Sequence, residues 1–186
     1  EVRYNTSVDS LRTLLDEQYD AVFVGSGAPK GKELDIPGRW DPAVRDQIHI
    51  GIEWLSSVHF GHIESIGENV LIIGVGNTAM DCCRTSRRLG GTNTNVIARR
   101  GRKFFKASPW ELEDAEEEGI HIIENHAPKR FVIENGKLVG MEFERLEWSE
   151  SNGRQTSTVT DTIIMPCDTV ILAIGQDNAF PWIERD

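Results

Sequence analysis

Residues 69–81, Asn69-Val70-Leu71-Ile72-Ile73-Gly74-Val75-Gly76-Asn77-Thr78-Ala79-Met80-Asp81, decide the reading of this chain. An apolar run of strand length meets a G-x-G-x-x-A turn, and a helix-like pattern follows at once. Each small residue has a physical task. Gly74 permits the tight turn out of the strand, and Gly76 lets a pyrophosphate approach the backbone. Ala79 keeps the helix close to its sheet, and the N–H groups of the first helical turn face the anion. The motif alone is weak evidence; between a buried strand and a helix it points to a dinucleotide site.

The next strand selects the dinucleotide. The helix reads as residues 77–89, Gly90-Gly91 stops it, and Asn95-Val96-Ile97-Ala98 reads as the following strand. A site for NAD usually places Asp or Glu at the end of that strand, where the carboxylate accepts hydrogen bonds from the ribose 2′-hydroxyl. Here the position holds Arg99-Arg100-Gly101-Arg102-Lys103. A carboxylate would repel a 2′-phosphate, whereas a guanidinium grips it with paired, charge-assisted hydrogen bonds. The sequence therefore favours NADP(H), with NAD(H) left open as a second substrate of the same site.

The surrounding chain frames this unit. Residues 7–18 read as a helix and 19–27 (YDAVFVGSG) as a strand ending in Gly-Ser-Gly. Residues 31–41 form a connector that turns at Pro37-Gly38. Residues 42–58 carry Val44, Ile48, Ile52 and Leu55 at helical spacing, which predicts one amphipathic helix. Ser108-Pro109-Trp110-Glu111 predicts a helix start with Ser as N-cap, Pro at the first position and Glu closing a capping box. The acids of that helix, Glu113, Asp114, Glu116, Glu117 and Glu118, read as a solvated face. Residues 120–124 are a strand, and Asn135-Gly136 predicts a type I′ hairpin turn between strands 130–134 and 137–147. Residues 156–165 return as a third antiparallel strand, and 167–174 as a last strand running into Gly175.

The expected fold class is α/β. A Rossmann-like three-layer dinucleotide-binding domain with an antiparallel β-meander occupies residues 42–172. Composition agrees with it. The net charge is −10 and the pI about 5.0, which argues against nucleic acid as a partner. No apolar run approaches the roughly 18 residues of a membrane span. Three cysteines, two of them adjacent, make no disulfide framework and suit a reducing cytoplasm. The chain opens on Glu1 and shows no secretory signal, so it reads as a piece of a longer polypeptide.

With these residues in view, the chain resembles the pyridine-nucleotide region of the small subunit of glutamate synthase and its relatives. These are flavoproteins with two dinucleotide-binding domains. The resemblance is carried by YDAVFVGSGA, the Pro37-Gly38 connector, VLIIGVGNTAMDCCRTSRRLG, ARRGRKFFKASPWELEDAEEEGI and CDTVILAIGQ. It implies a relay in which NADPH reduces FAD and electrons pass to iron–sulfur centres of the same or a partner protein. It further implies that the nucleotide domain is inserted into an FAD-type domain. Residues 1–41 would be a fragment of that domain plus the connector, and residues 173–186 the return to it. The family's own FAD fingerprint, its Gly-Asp segment and its cysteine-rich iron–sulfur region do not occur in these residues.

Residue by residue, Gly74, Gly76, Asn77, Thr78 and Ala79 are assigned to pyrophosphate and ribose. Arg99, Arg100 and Arg102 are assigned to the 2′-phosphate, and Ala173, Ile174 and Gly175 to the nicotinamide side. The partners are NAD(P)H, the flavin domain of the same polypeptide and an iron–sulfur or catalytic partner subunit. Adjacent Cys82 and Cys83 lack C-x-x-C spacing and read as packing thiols. Arg84, Arg87 and Arg88 read as complements to a helix C-terminal dipole. His59 and His62 flank a Gly and have no evident third ligand. No nucleophile–base pair is visible, because in a hydride relay the cofactors carry the chemistry. An alternative in a different class is a nucleotide-sensing or docking module without catalysis.

Overall fold

The computed structural model describes residues 2–17, 19–25, 27, 30–151, 153–177 and 183. The chain divides into two compact units, one of residues 1–30 with 176–186 and one of residues 31–175. In the first, Ser10 caps helix α1 (Leu11–Asp16), its side chain accepting a hydrogen bond from the Thr13 N–H at 3.2 Å. None of its described residues is buried. Of residues 19–27, predicted as a strand, 19–25 have no ladder partner among the described residues and form no regular element, and Ser26 lies outside the described residues. Strand β1 (Lys30–Gly31) leads out of this unit and β10 (Gln176–Asp177) leads back into it.

The second unit is built around a parallel sheet. Its strands are β2 (Ile48–Ile50), β3 (Asn69–Ile73), β4 (Asn93–Ile97), β5 (His121–Ile123) and β9 (Thr169–Leu172), in the order β2-β9-β3-β4-β5. Helices α2 (Gly51–His59), α3 (Asn77–Arg88) and α4 (Pro109–Glu117) follow β2, β3 and β4. A second, antiparallel sheet holds β6 (His126–Glu134), β7 (Lys137–Ser151) and β8 (Arg154–Pro166). The predicted hairpin turn is present. Asn135 and Gly136 take φ of 51° and 72°, the positive values that a type I′ turn requires.

Side-chain alternation along the parallel strands sorts the core into two clusters. Val70 and Ile72 of β3, Val96 of β4 and Ile171 of β9 pack with Ala79, Met80, Cys82, Cys83, Leu112 and Ala115 of the helices. Their neighbours Leu71, Ile73, Ile97, Val170 and Leu172 point the other way, onto Phe131, Leu138, Met141, Phe143 and Met165 of the antiparallel sheet. Helices, parallel sheet and meander are thus three layers. Burial on both faces explains why β3 and β9 are continuous apolar runs. The fold is the expected Rossmann-like α/β architecture.

Two local predictions fail for identifiable reasons. Residues 42–58 are not one helix but a 3₁₀ turn (Pro42–Gln47), strand β2 and helix α2. Ile48 and Ile50 are as well spaced for a strand as for a helix. The parallel ladder with β9, Ile48 opposite Val170 and Ile50 opposite Leu172, settles the choice. Gln47 locks that junction: its amide donates to the Asp168 carbonyl at 2.9 Å and accepts from the Leu138 N–H at 3.1 Å. At α4, Ser108 is the N-cap residue and Pro109 opens the helix, yet no side chain caps it. Ser108 bonds instead to Asn77, which removes the expected capping box.

Candidate dinucleotide site

The phosphate loop leaves the C-terminal end of β3, the strand where the sheet order reverses between β9 and β4. Open α/β sheets form their ligand crevice at such a switch point. Gly74 has φ of 121°, and its N–H donates to the Ile97 carbonyl at 3.1 Å. Gly76 is the N-cap of α3, with its carbonyl accepting from the Ala79 and Met80 N–H groups at 2.9 and 3.2 Å. Ala79 is wholly buried against the sheet.

The glycines do different work. A Cβ added to Gly74 would stand 2.3 Å from the Ala173 carbonyl oxygen, so this position keeps the loop against the end of β9. A Cβ on Gly76 would meet nothing within 4 Å. The space in front of Gly76, at the positive end of a twelve-residue helix, suits a pyrophosphate. These residues fit the group that the motif implies.

The basic turn is tied to this loop through the backbone. The Lys106 and Ala107 N–H groups both donate to the Val75 carbonyl at 3.0 Å. Asn77 accepts from the Ser108 N–H at 2.8 Å and donates to its hydroxyl at 3.4 Å. The segment after β4 is therefore folded beside the helix start. On the opposite flank the Ala173 N–H donates to the Ile73 carbonyl at 2.8 Å, and Gly175 accepts from the Lys32 N–H at 3.0 Å. Ala173 and Ile174 are partly buried, and Gly175 is exposed with φ of 117°.

The three arginines stand in three environments. Among the described residues nothing pairs with the exposed side chain of Arg99. The Arg100 guanidinium lies over the Trp148 ring at 4.7 Å and near the Phe104 ring at 5.2 Å. Arg102 grips Glu116 with two guanidinium nitrogens, the second bond at 3.0 Å, and its backbone N–H donates to Glu124 at 2.9 Å. The hydrogen bond from Arg102 holds the Glu116 carboxyl below its usual range.

Helix α4 keeps the solvated face at Glu113 and Glu117, both exposed, but departs from that reading at its other acids. Arg84 of α3 reaches Glu118 at 2.7 Å and Glu111 and Asp114 at 3.2 Å, and Arg88 reaches Glu118 at 2.6 Å. Arg84 and Arg88 thus serve the α3–α4 contact and are not simply dipole complements. Arg87 donates to the Thr92 carbonyl, just past the end of its helix. Trp148 and the acids paired with Arg84 and Arg102 were not singled out from sequence as parts of this site. Glu111, Asp114 and Glu118, at i, i+3 and i+7, face Arg84, while Glu116 faces Arg102; only the placement of those arginines from other segments gives the spacing its meaning.

Cys82 and Cys83 lie on the sheet side of α3, both fully buried. Burial pushes both thiols up, that of Cys83 to about 12. Cys167, at the entry to β9, is likewise buried and pushed up to about 12. Such thiols are un-ionised near neutrality and unreactive.

Among the described residues no helix is long and apolar enough to cross a membrane. The pyridine nucleotide-disulphide oxidoreductase family model matches residues 3–184. The chain is 33% identical to the NADPH-Fe(3+) oxidoreductase subunit beta of Geobacter sulfurreducens, over 98% of this chain and 28% of that protein. It is 32% identical to the glutamate synthase [NADPH] small chain of Halomonas elongata, over 90% of this chain and 38% of that protein. It therefore spans about a third of the length of these relatives, 28% of one and 38% of the other. Among solved structures, Mycobacterium tuberculosis FprA in complex with NADPH superposes with a TM-score of 0.69 at 18% identity, covering 88% of this chain and 52% of FprA. With the family model matching nearly its whole length, the chain belongs to the pyridine nucleotide-disulphide oxidoreductase family.

Proposed function

We propose that residues 31–175 form the NADP(H)-binding domain of a flavin-dependent oxidoreductase resembling the glutamate synthase small chain. The observation that carries this reading is the junction of the two loops. A phosphate loop with open space at Gly76 is fastened through Val75 and Asn77 to the segment that follows Arg99 and Arg100. Pyrophosphate binding falls to the backbone of residues 74–79 at the α3 N-terminus. The 2′-phosphate falls to Arg99 and Arg100, whereas Arg102 is already engaged by Glu116. Ala173, Ile174 and Gly175 border the nicotinamide side at the end of β9.

When bound, the nicotinamide supplies the hydride; the residues named here bind and orient it. FAD is proposed as its acceptor, and iron–sulfur centres as the onward acceptors. That proposal rests on the family and on the likeness to NADPH-named subunits. The residues present carry no second pyrophosphate loop, so the flavin would be held by other parts of the polypeptide, into which this domain is inserted. A partner subunit and a cytoplasmic location fit the same reading, the latter through three free, buried cysteines.

Calorimetric titration with NADPH and NADH tests the assignment. A phosphate–guanidinium pair in a partly exposed site is worth about 1–3 kcal/mol, or roughly 5- to 150-fold in affinity. The parent should prefer NADPH by that margin, and the double variant Arg99→Ala, Arg100→Ala should lose the preference. Equal affinities in the parent, or unchanged NADPH binding in the double variant, would overturn it.

A further inference from the structure

We propose that Trp148, on the long hairpin of the meander, is a positioning residue that sets the preference for NADP(H) by holding the arginine turn in its binding conformation. The inference rests on the NADP(H) reading of that turn.

Strands β6 and β7 pair only as far as His126 opposite Arg145, while β7 and β8 continue together to Ser151 opposite Arg154. The β7–β8 hairpin therefore outruns its sheet. A register shift between Arg145 and Leu146 bends it. Leu146 beyond the shift is buried, its N–H bonded to the Asn125 carbonyl at 2.8 Å, which anchors the arm beside the end of β5. From that anchor Trp148 reaches the turn after β4 in two ways. Its indole N–H donates to the Arg99 carbonyl at 3.2 Å, and its ring lies 4.7 Å below the Arg100 guanidinium. One side chain thus fixes the backbone of one arginine and the head group of the next.

The physical consequence concerns entropy and geometry. A surface arginine loses rotamer freedom when it grips a ligand, and prior immobilisation lessens that loss. A guanidinium stacked on an aromatic face keeps its in-plane N–H donors for a phosphate. A 2′-phosphate gains from this arrangement; a 2′-hydroxyl does not. Arg102, occupied by Glu116, is outside the device.

The test uses the intact polypeptide and calorimetric titration with both nucleotides. Parent, Trp148→Phe, Trp148→Leu, Arg100→Ala and the pair Trp148→Leu with Arg100→Ala are compared. Trp148→Leu should weaken NADPH binding by about five-fold and leave NADH binding unchanged, a size set by an exposed cation–π contact. Trp148→Phe should restore most of the loss. In the Arg100→Ala background Trp148→Leu should cost less than it does in the parent, because the stack on Arg100 is already gone and only the bond to the Arg99 carbonyl is left to lose. An unchanged NADPH-to-NADH ratio in Trp148→Leu, or equal weakening of both nucleotides, overturns the inference while the cofactor assignment stands. A parent without preference for NADPH overturns the cofactor assignment itself.

Discussion

Gly74 is packed against the Ala173 carbonyl so closely that an added Cβ would lie 2.3 Å from its oxygen, and Gly74 also holds φ at 121°. Two residues from it, Gly76 has φ of −104° and ψ of 176°, open to any residue, and has open space before it. The motif's two glycines therefore separate into one required by the fold and one that the fold leaves free, which is the one proposed to face the pyrophosphate.

This separation is measurable. Gly74→Ala combines a strained backbone with a backbone clash and should cost more than about 2 kcal/mol of stability. Gly76→Ala should change stability by less than about 0.5 kcal/mol yet weaken NADPH binding by about ten-fold or more, since the methyl occupies the pyrophosphate's approach. Urea unfolding and calorimetry on the two variants provide both quantities. Equal stability losses would show that Gly76 also serves the fold; intact NADPH binding in Gly76→Ala would remove the pyrophosphate from this loop.

Cys82 and Cys83 should be dispensable for electron transfer. Their thiols are buried, raised well above neutrality, and spaced without a resolving partner. In the native state neither should react with an aromatic disulfide reagent at neutral pH, and both should react after unfolding. The double Ala variant of the intact polypeptide should lose about 1–3 kcal/mol of stability from the emptied volume. Flavin reduction by NADPH should stay within about three-fold of the parent. A larger loss with nucleotide affinity intact would give these thiols a redox role.

The parts of the fold legible in sequence are those where local pattern and long-range packing agree. The run 70–73 is apolar throughout because both faces of β3 are covered, and Asn135-Gly136 makes its turn from its own φ preferences. Strand β2 is not legible in sequence because its three residues also fit a helical stripe, and its ladder partner Val170 lies far along the chain. Ser108 looked like a self-sufficient cap, but Asn77 competes for its hydroxyl and N–H. Asp114, Glu116 and Glu118 read as solvated in sequence because their partners Arg84, Arg88 and Arg102 come from other segments, whereas Glu113 and Glu117 are exposed as read. Trp148 belongs to the same class. Nothing local to residues 137–151 says that this ring meets Arg100.

His49 gives residues 31–175 a pH dependence of definite sign. Burial between the connector and α2 lowers its pKa below 6.5; Asp46 opposes that shift and Arg39 adds to it. Above 6.5 the imidazole is neutral in both states, and the stability associated with burying it is complete. As pH falls below that value the unfolded chain takes up the proton first, so stability is lost until the folded-state pKa is passed. Between about pH 5 and 7.5 the parent should lose stability on acidification with a slope of at most about 1.4 kcal/mol per pH unit from this group. His49→Asn should be flatter over the same window. Parallel curves for parent and variant would show that His49 protonates as easily folded as unfolded.

The last prediction concerns these 186 residues expressed alone. Flavin affinity in this architecture comes mainly from a pyrophosphate loop and an acid on the ribose, and the only G-x-G-x-x-A present is assigned to the nucleotide. None of the described residues of the first unit is buried, so those residues supply no core around which a flavin pocket could be shaped. Residues 31–175, by contrast, contain both hydrophobic clusters and all three layers. The chain should therefore fold, bind NADP(H), be colourless after purification, and oxidise NADPH in the presence of added FAD no faster than free FAD does. An absorbance scan and a turnover assay with an artificial acceptor decide it. A yellow protein with one FAD per chain, or saturable NADPH oxidation by this chain alone, would place the flavin site within these residues and end the division of labour argued for Gly76, Arg99 and Arg100.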